Sequence, residues 1–409
     1  MIKRILYTLL IMFPVVASAQ INTDRVMAIG RNALYFEDYV LSIQYFNQVI
    51  NAKPYLSDPY FYRGLAKINL DDFQGAESDC SEAIERNPFV VSAYQVRGLA
   101  RIQQNNFAGA IEDYTKALEF DPENIGVWHN MALCRIRQED YKGAKNDLDK
   151  LIAISPRYTK AYLMRGEVDL KQKDTLAAEK DFGKAIEIDR YDADTWASRA
   201  ILRLQQQRYK DAEADFDHAI RLSTRNSGVY INRALARYHQ NNLRGAMSDY
   251  DIALDIDPNN FIGHYNRGLL RAQVGDDNRA IQDFNFVIEM EPDNMMAIFN
   301  RGLLLDQTGD YKGAIKDYST VINEYPNFLL GYQYKAQARR KIGDVKGADA
   351  DEFKVLKAQL DKQNGVDPNK QTADNTENNK TRKKSDKNMN NYRKIVVADN
   401  DDATPKYKT

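Results

Sequence analysis

Two consecutive stretches of the chain, residues 227–260 (SGVYINRALARYHQNNLRGAMSDYDIALDIDPNN) and residues 261–294 (FIGHYNRGLLRAQVGDDNRAIQDFNFVIEMEPDN), align without an insertion or a deletion. Each is 34 residues long and has a small eighth residue and alanine at its twentieth position. The same step continues in both directions and gives ten units over about residues 23 to 362. This period is typical of stacked helical hairpins, so function has to be sought on a face of the array. The small residues are Gly30, Gly64, Gly98, Ala132, Gly166, Ala200, Ala234, Gly268, Gly302 and Ala336.

Three other positions of the unit repeat with the same step. Small residues allow two helices to approach closely, large side chains fill the space beside the contact, and proline ends a helix. The twentieth residue is alanine in nine units: Ala76, Ala110, Ala144, Ala178, Ala212, Ala246, Ala280, Ala314 and Ala348. The twenty-fourth is mostly aromatic: Phe46, Tyr114, Phe182, Phe216, Tyr250, Phe284 and Tyr318, with Cys80 and Leu148 as smaller substitutes. Proline closes seven units: Pro54, Pro88, Pro122, Pro156, Pro258, Pro292 and Pro326.

This set of positions resembles the tetratricopeptide repeat, which also has an aromatic residue at its fourth position, as in Tyr60, Tyr94 and Trp128. The resemblance covers about four fifths of the chain. It implies an all-α fold, an α-solenoid of about ten hairpins that form a right-handed superhelix. It also implies a scaffold that holds protein partners along a concave groove, in processes such as envelope assembly or secretion.

Charge composition argues against one class of partner. The chain has 57 basic and 58 acidic side chains. Nucleic-acid-binding proteins usually have a basic excess or a basic stripe. We therefore expect a protein or peptide partner and no nucleic acid.

The N-terminus has the order of an export signal. Lys3 and Arg4 precede an apolar run from Ile5 to Val16, and Ala17-Ser18-Ala19 follows. This order predicts a signal peptide over residues 1–19 and an exported chain that is periplasmic or secreted. An uncleaved membrane anchor is the alternative, although the apolar run is short for a bilayer span. The mature chain is expected to have no membrane span.

Residues 363–409 form a polar segment rich in Asn, Asp, Lys and Thr, which predicts a disordered tail. We expect the array to keep its stability without it. Within the tail, Tyr392–Ala398 is a short apolar run. It either adds as a strand to the sheet edge of a partner or has no role.

Sequence motifs of catalysis and of metal or cofactor binding are missing. The chain has no CxxC, GxxxxGK, GxSxG or GxGxxG motif, and its four histidines fall in separate units. We therefore expect no enzyme, no cofactor and no metal. Cys80 and Cys134 are a hairpin apart, which is too far for a disulfide.

Charged residues repeat at three positions of the unit. Position 7 is basic in eight units and position 11 in most, whereas position 23 is aspartate in nine, from Asp79 to Asp351. Buried charges are seldom unpaired, so a structural ladder of arginine–aspartate pairs within or between hairpins is favoured. The alternative is an exported binder of an anionic glycan or polymer that uses the arginines, with strongly salt-dependent affinity.

First-helix positions 5, 6 and 13 carry the candidate partner-binding residues, since the resemblance places such positions in the groove. Side-chain amides both donate and accept, so a row of them can hold an extended peptide by its main chain. Exposed aromatic residues beside them would supply anchoring pockets. The alternative is that these are ordinary solvated helix residues. The candidates are Phe61, Tyr62, Gln103, Asn130, Arg137, Asn232, His239, Tyr265, Asn266, Gln273, Phe299, Asn300 and Gln307.

Overall fold

The computed structural model describes residues 22–222, 225–364, 389, 392–396 and 398. In this part of the chain there are twenty α-helices and no strand. The chain divides into two compact units, Met1–Ile188 (unit 1) and Asp189–Thr409 (unit 2), each with ten helices. The predicted export signal lies outside the described residues.

The helices of unit 1 are α1 Thr23–Tyr35, α2 Tyr39–Ala52, α3 Asp58–Ile68, α4 Phe73–Arg86, α5 Val91–Gln103, α6 Phe107–Phe120, α7 Ile125–Arg137, α8 Tyr141–Ile154, α9 Thr159–Lys171 and α10 Thr175–Ile188. The helices of unit 2 are α11 Ala193–Gln205, α12 Tyr209–Arg221, α13 Ser227–His239, α14 Leu243–Ile256, α15 Phe261–Gln273, α16 Asp277–Met290, α17 Met295–Thr308, α18 Tyr311–Glu324, α19 Leu329–Lys341 and α20 Val345–Gln363.

Helices pair in the order in which they follow one another. Each odd-numbered helix packs against the even-numbered helix after it, which makes five hairpins in each unit. Within a unit, the second helix of a hairpin also packs against the first helix of the next. The predicted all-α array of hairpins is therefore confirmed.

The contact inside each hairpin explains the small eighth residue. Phe182 is fully buried, and a Cβ placed on Gly166 would lie only 2.6 Å from a carbon of its ring. The same contact joins Gly30 to Phe46, where the distance would be 2.7 Å. A side chain at these glycines would force the two helices apart.

Most second helices begin at a side-chain cap that the sequence repeats. The carboxylate of Asp310 accepts a hydrogen bond from the N–H of Gly313, at 3.0 Å, and so caps α18. An oxygen of Asp310 would lie 2.4 Å from a Cβ at Gly313, which explains the glycine there. The turn before the cap has a residue with positive φ at the same step in all ten hairpins: Glu37, Asp71, Asn105, Glu139, Lys173, Gln207, Asn241, Gly275, Gly309 and Gly343.

Candidate functional site

The repeated charges form an arginine–aspartate ladder inside the hairpins. The aspartates at position 23 are between 1 and 6% exposed. The position-7 cation of the same hairpin approaches each of eight of them to within 2.5 to 3.1 Å. These pairs are Arg63–Asp79, Arg97–Asp113, Arg165–Asp181, Arg199–Asp215, Arg233–Asp249, Arg267–Asp283, Arg301–Asp317 and Lys335–Asp351.

Most of these aspartates have a second cation from position 11, so each carboxylate lies between two positive charges. In the second hairpin of unit 2, for example, Asp249 pairs with Arg233 at 2.6 Å and with Arg237 at 2.9 Å. Arg233 also reaches back to Asp217 of the preceding hairpin, at 2.6 Å, and its guanidinium lies over the ring of Tyr230. The ladder therefore joins helices within a hairpin and hairpins to each other, and its arginines are engaged by the protein itself.

The fourth hairpin of the chain has the ladder aspartate but lacks the position-7 cation. Position 7 of the fourth 34-residue repeat is Met131, so the cation that pairs with Asp147 is Arg135, from position 11. Their nearest atoms are 2.7 Å apart, but not in hydrogen-bond geometry, and Arg135 also pairs with Asp140. Burial raises the pKa of Asp147 to about 6 in spite of Arg135. Asp147 is thus a carboxyl group whose charge is poorly compensated.

Five of the candidate partner-binding residues belong to unit 1. The structure places Gln103 and Arg137 at exposed positions at the ends of α5 and α7. Phe61 and Tyr62 are half-buried against each other, with ring centroids 5.0 Å apart. Asn130 is half-buried and donates to the Tyr114 hydroxyl at 3.5 Å. Their binding role stays a prediction.

In unit 2, the first helices of three successive hairpins each have an asparagine at position 6 of the 34-residue repeat. We call Asn232 on α13, Asn266 on α15 and Asn300 on α17 the asparagine ladder. Asn232 and Asn266 are fully buried and Asn300 is 5% exposed. They are covered by residues 392–398 of the same chain, here called the C-terminal segment, of which all but residue 397 are described.

The ladder binds the main chain of the C-terminal segment. The amide of Asn232 donates to the carbonyl oxygen of Ala398 at 2.7 Å and accepts from its N–H at 2.9 Å. Asn266 makes the same pair of bonds with Val396, at 2.7 and 2.8 Å. Because alternate residues of an extended chain present their N–H and C=O to the same side, neighbouring hairpins can bind residues 396 and 398.

The third ladder residue binds the segment together with a tyrosine. Asn300 donates to the carbonyl oxygen of Tyr392 at 2.5 Å, and the Tyr265 hydroxyl donates to the same oxygen at 2.6 Å. Burial raises the pKa of Tyr265, which keeps this hydroxyl protonated as a donor. The segment runs opposite to the order of the hairpins, with Tyr392 at α17 and Ala398 at α13.

The aromatic candidates of unit 2 are in contact with the segment, but they are not exposed as expected. Phe299 is fully buried and Tyr265 is 4% exposed. The Tyr392 ring packs edge-on against Phe299, with centroids 4.8 Å apart. The expectation of exposed aromatic anchors was wrong here, because the C-terminal segment and the neighbouring helices cover both rings.

Two of the three position-13 candidates in unit 2 lie beside the segment. Gln273 and Gln307 are exposed and line a cavity of about 360 Å³ next to Ile395. His239 is exposed and stacks on Tyr209, with ring centroids 4.5 Å apart, and partial burial lowers its pKa. Within the described residues no hydrogen bond joins these three side chains to the segment, so their binding role stays a prediction.

The C-terminal segment departs from the predicted tail. Met389, Ile395 and Ala398 are buried within apolar clusters of unit 2. Disorder over the whole of residues 363–409 was therefore a wrong expectation for the described positions 389, 392–396 and 398, while the remaining residues after Asn364 lie outside the described ones. Within this chain the main chain of the segment binds side-chain amides; its addition to the sheet edge of a partner stays a prediction.

The described residues offer little for other kinds of site. No group of three or more His, Cys, Asp or Glu side chains in this part of the chain could hold a metal ion. No helix described there combines the length and the apolar character of a bilayer span. Cys80 and Cys134 are both buried and free, as predicted.

Comparison with known families agrees with the geometry of the hairpins. A TPR repeat model matches residues 98–134, and a tetratricopeptide repeat model matches residues 125–158 and 159–192. A further tetratricopeptide repeat model matches residues 198–261 and 265–327. The matched residues make up more than half of the chain. The chain belongs to the tetratricopeptide repeat family.

Solved structures with similar repeats include three that we describe here. A tetratricopeptide repeat protein from Parabacteroides merdae is 21% identical, with a TM-score of 0.48 over 61% of this chain and 98% of that one. Pseudomonas aeruginosa pilF is 20% identical, with a TM-score of 0.43 over 49% and 92%. The Cut9–Hcn1 structure is 14% identical, with a TM-score of 0.47 over 71% and 57%. No curated protein matches the sequence.

The sequence pointed to the asparagines and to the C-terminal run separately, but it did not show that they contact each other. It selected the asparagines because an amide suits a main chain, and it selected Tyr392–Ala398 because that run is apolar. One signal could have connected them: the same chain has a row of amides that suits a peptide main chain and a short apolar run that could bind there.

Proposed function

We propose that this chain is a non-catalytic protein-binding scaffold whose asparagine ladder holds an extended peptide of a partner. Members of this family generally act as interaction scaffolds. The observation that carries the proposal is the set of paired hydrogen bonds from Asn232 and Asn266 to the main chain of residues 398 and 396.

The chemistry of these bonds suits a peptide ligand. Each amide satisfies one main-chain N–H and one C=O, so it recognises an extended chain whatever its side chains. A typical bond of this kind contributes about 1 kcal/mol net, and an occupant that covered an amide without bonding to it would lose about 1–3 kcal/mol for the buried group left unsatisfied. The ladder therefore favours an occupant.

The C-terminal segment then acts as the built-in occupant of the site. It belongs to the same chain, so its concentration at the ladder does not fall when the protein is diluted. A partner peptide has to displace it, so the segment sets a threshold for partner binding.

Testing this function requires a chain whose own segment has left the ladder. Val396→Pro together with Ala398→Pro, in the full chain, removes the two N–H groups that the ladder accepts; we call this variant the released chain. Trypsin cleavage after Lys394 checks that its segment is free. The probe is a fluorescent peptide of residues 389–400, titrated into the released chain and followed by anisotropy.

We expect the peptide to bind the released chain, and binding to be lost when Asn232, Asn266 and Asn300 are all replaced by alanine. Asn130→Ala is the matched control, because Asn130 occupies the same position in unit 1 and contacts Tyr114 instead. Circular dichroism verifies that each variant is helical. Undiminished binding by the triple variant would contradict the proposal.

The arginine alternative has lost its main support. The position-7 cations of the arginine–aspartate ladder pair with buried aspartates, so they are not available to an anionic glycan or polymer. An amide-bound peptide should keep its affinity between about 0.1 and about 1 M salt, because neutral hydrogen bonds are little screened.

We propose that the scaffold works after export, in the periplasm or outside the cell. The charged, apolar and small-residue order of residues 1–19 supports this. Mass spectrometry of the chain from its own cells should give an N-terminus at Gln20; a retained Met1 would argue against export by cleavage.

A further inference from the structure

We propose that the asparagine ladder selects peptides with an aromatic residue, a large apolar residue and a small residue, in that order and three positions apart. Tyr392, Ile395 and Ala398 of the C-terminal segment have this pattern. The inference rests on the proposed function and adds side-chain selectivity to it. It names the partner's chemistry: an extended segment of this pattern that runs opposite to the order of the hairpins.

The position of Ala398 admits only a small side chain. Ala398 has no exposed surface and belongs to a cluster with Ile231, Tyr250 and Leu270, all of which are fully buried. Asn232 binds both its N–H and its carbonyl oxygen, so the residue cannot move away from the cluster without breaking these bonds. A longer side chain there would overpack the cluster or break the bonds to Asn232.

The position of Ile395 has room for a larger side chain. Ile395 is 9% exposed and packs in a cluster that includes Phe216 and Leu235. The cavity of about 360 Å³ beside it is lined by Leu269 and Leu304, among others. This volume exceeds that of a water molecule many times, so a phenylalanine could extend into it and bury more apolar surface.

The position of Tyr392 favours an aromatic ring, whereas its neighbours are unselective. The Tyr392 ring meets Phe299 edge-on, an arrangement that stabilises aromatic pairs beyond the burial of their surface. Lys394 is exposed and Val396 is 42% exposed, so their side chains are free to vary.

The experiment measures a peptide series against the released chain. The parent is the fluorescent peptide of residues 389–400, and its variants carry Ala398→Leu, Ile395→Phe, Tyr392→Ala or Lys394→Ala. We expect Ala398→Leu to bind about tenfold more weakly or worse. Tyr392→Ala should bind several-fold more weakly, roughly the loss of one aromatic pair. Ile395→Phe should bind at least as tightly as the parent, and Lys394→Ala should match it.

The outcomes separate this inference from the function beneath it. If all five peptides bind with equal affinity, the ladder reads only the main chain: the selectivity is overturned and the proposed function survives. If Ala398→Leu binds as tightly as the parent, the small-residue requirement is wrong. If the parent itself fails to bind a chain whose segment trypsin shows to be free, both proposals fall.

Discussion

At the scale of single residues, the same amino acid at the same repeat position has different surroundings. Asn232 is fully buried and binds both main-chain groups of Ala398. Asn130, at the equivalent position, is half-buried and donates to a tyrosine hydroxyl. The repeat position therefore fixes where a side chain points, while the groups that pack against it determine which bonds it makes.

Glycines in one hairpin should respond oppositely to the same change. Gly166→Ala should destabilise unit 1 by about 1–3 kcal/mol, because its Cβ would lie 2.6 Å from the Phe182 ring. Gly183→Ala, on α10, should stabilise it by about 1 kcal/mol, since no atom lies within 4 Å of the new Cβ and alanine is the better helix former. Urea unfolding measures both. Equal effects would contradict the packing account.

Asp147 should make stability depend on pH. Its pKa of about 6 means that the folded chain keeps a proton that an unfolded aspartate loses near pH 4. Its contribution to stability therefore falls as pH rises from about 4 to about 6 and is constant above that. Asp147→Asn should remove this decline, so the variant should gain on the wild type between about pH 4 and about pH 7 in urea unfolding.

Asp113→Asn is the control for that prediction. Asp113 lies between Arg97 and Arg101, at 2.6 and 3.0 Å. Its replacement leaves two guanidinium groups facing a neutral amide, which should cost about 3–5 kcal/mol near neutral pH. A similar loss for Asp147→Asn at pH 7 would show that its charge is well compensated after all.

At the scale of helices, the ends follow from local chemistry. Second helices end two residues before the unit's proline, as α18 does at Glu324 before Pro326, and they begin at an aspartate or asparagine cap in most hairpins. Asp310→Ala should therefore cost about 1 kcal/mol, because α18 loses the acceptor for the Gly313 N–H. Thermal melting measures it, and Asp310→Asn should retain most of the stability. An Asn variant as unstable as the Ala variant would speak against the cap.

Much of the fold could be predicted from sequence because every unit repeats the contacts that define it. Gly166 and Phe182 are 16 residues apart and keep their spacing in other units, so pattern alone pairs them. The site was only half predictable. Asn232 and Ala398 are 166 residues apart, and the C-terminal segment repeats nothing, so no periodicity connects them. The full burial of Phe299 was missed for the same reason, since part of its cover is Tyr392, which lies outside the array.

At the scale of the molecule, the C-terminal segment should stabilise one unit and not the other. Deleting residues 389–409 uncovers the asparagine ladder and removes the buried Met389, Ile395 and Ala398. We expect unit 2 to lose about 2 kcal/mol or more, which replaces the sequence-based expectation that the array keeps its stability without the tail. Unit 1 should be unchanged, because repeat arrays are stabilised mainly by neighbouring hairpins.

The two tryptophans allow each unit to be followed separately. Trp128 lies in unit 1 and Trp196 in unit 2, where it packs in the cluster that contains Ile395. In urea unfolding by fluorescence, the deletion should shift the transition of the Trp128→Phe variant, which reports unit 2, and not that of the Trp196→Phe variant. Equal shifts, or none, would show that the segment does not stabilise unit 2 specifically.

Amide hydrogen exchange at Val396 and Ala398 in the full chain tests the central claim most directly. These two N–H groups donate to Asn266 and Asn232, so each should exchange at least about tenfold more slowly than in a free peptide. Asn266→Ala should remove the protection at Val396, whereas Asn130→Ala should leave it. Exchange at the free-peptide rate in the unmodified chain would contradict the claim that the asparagine ladder binds an extended main chain.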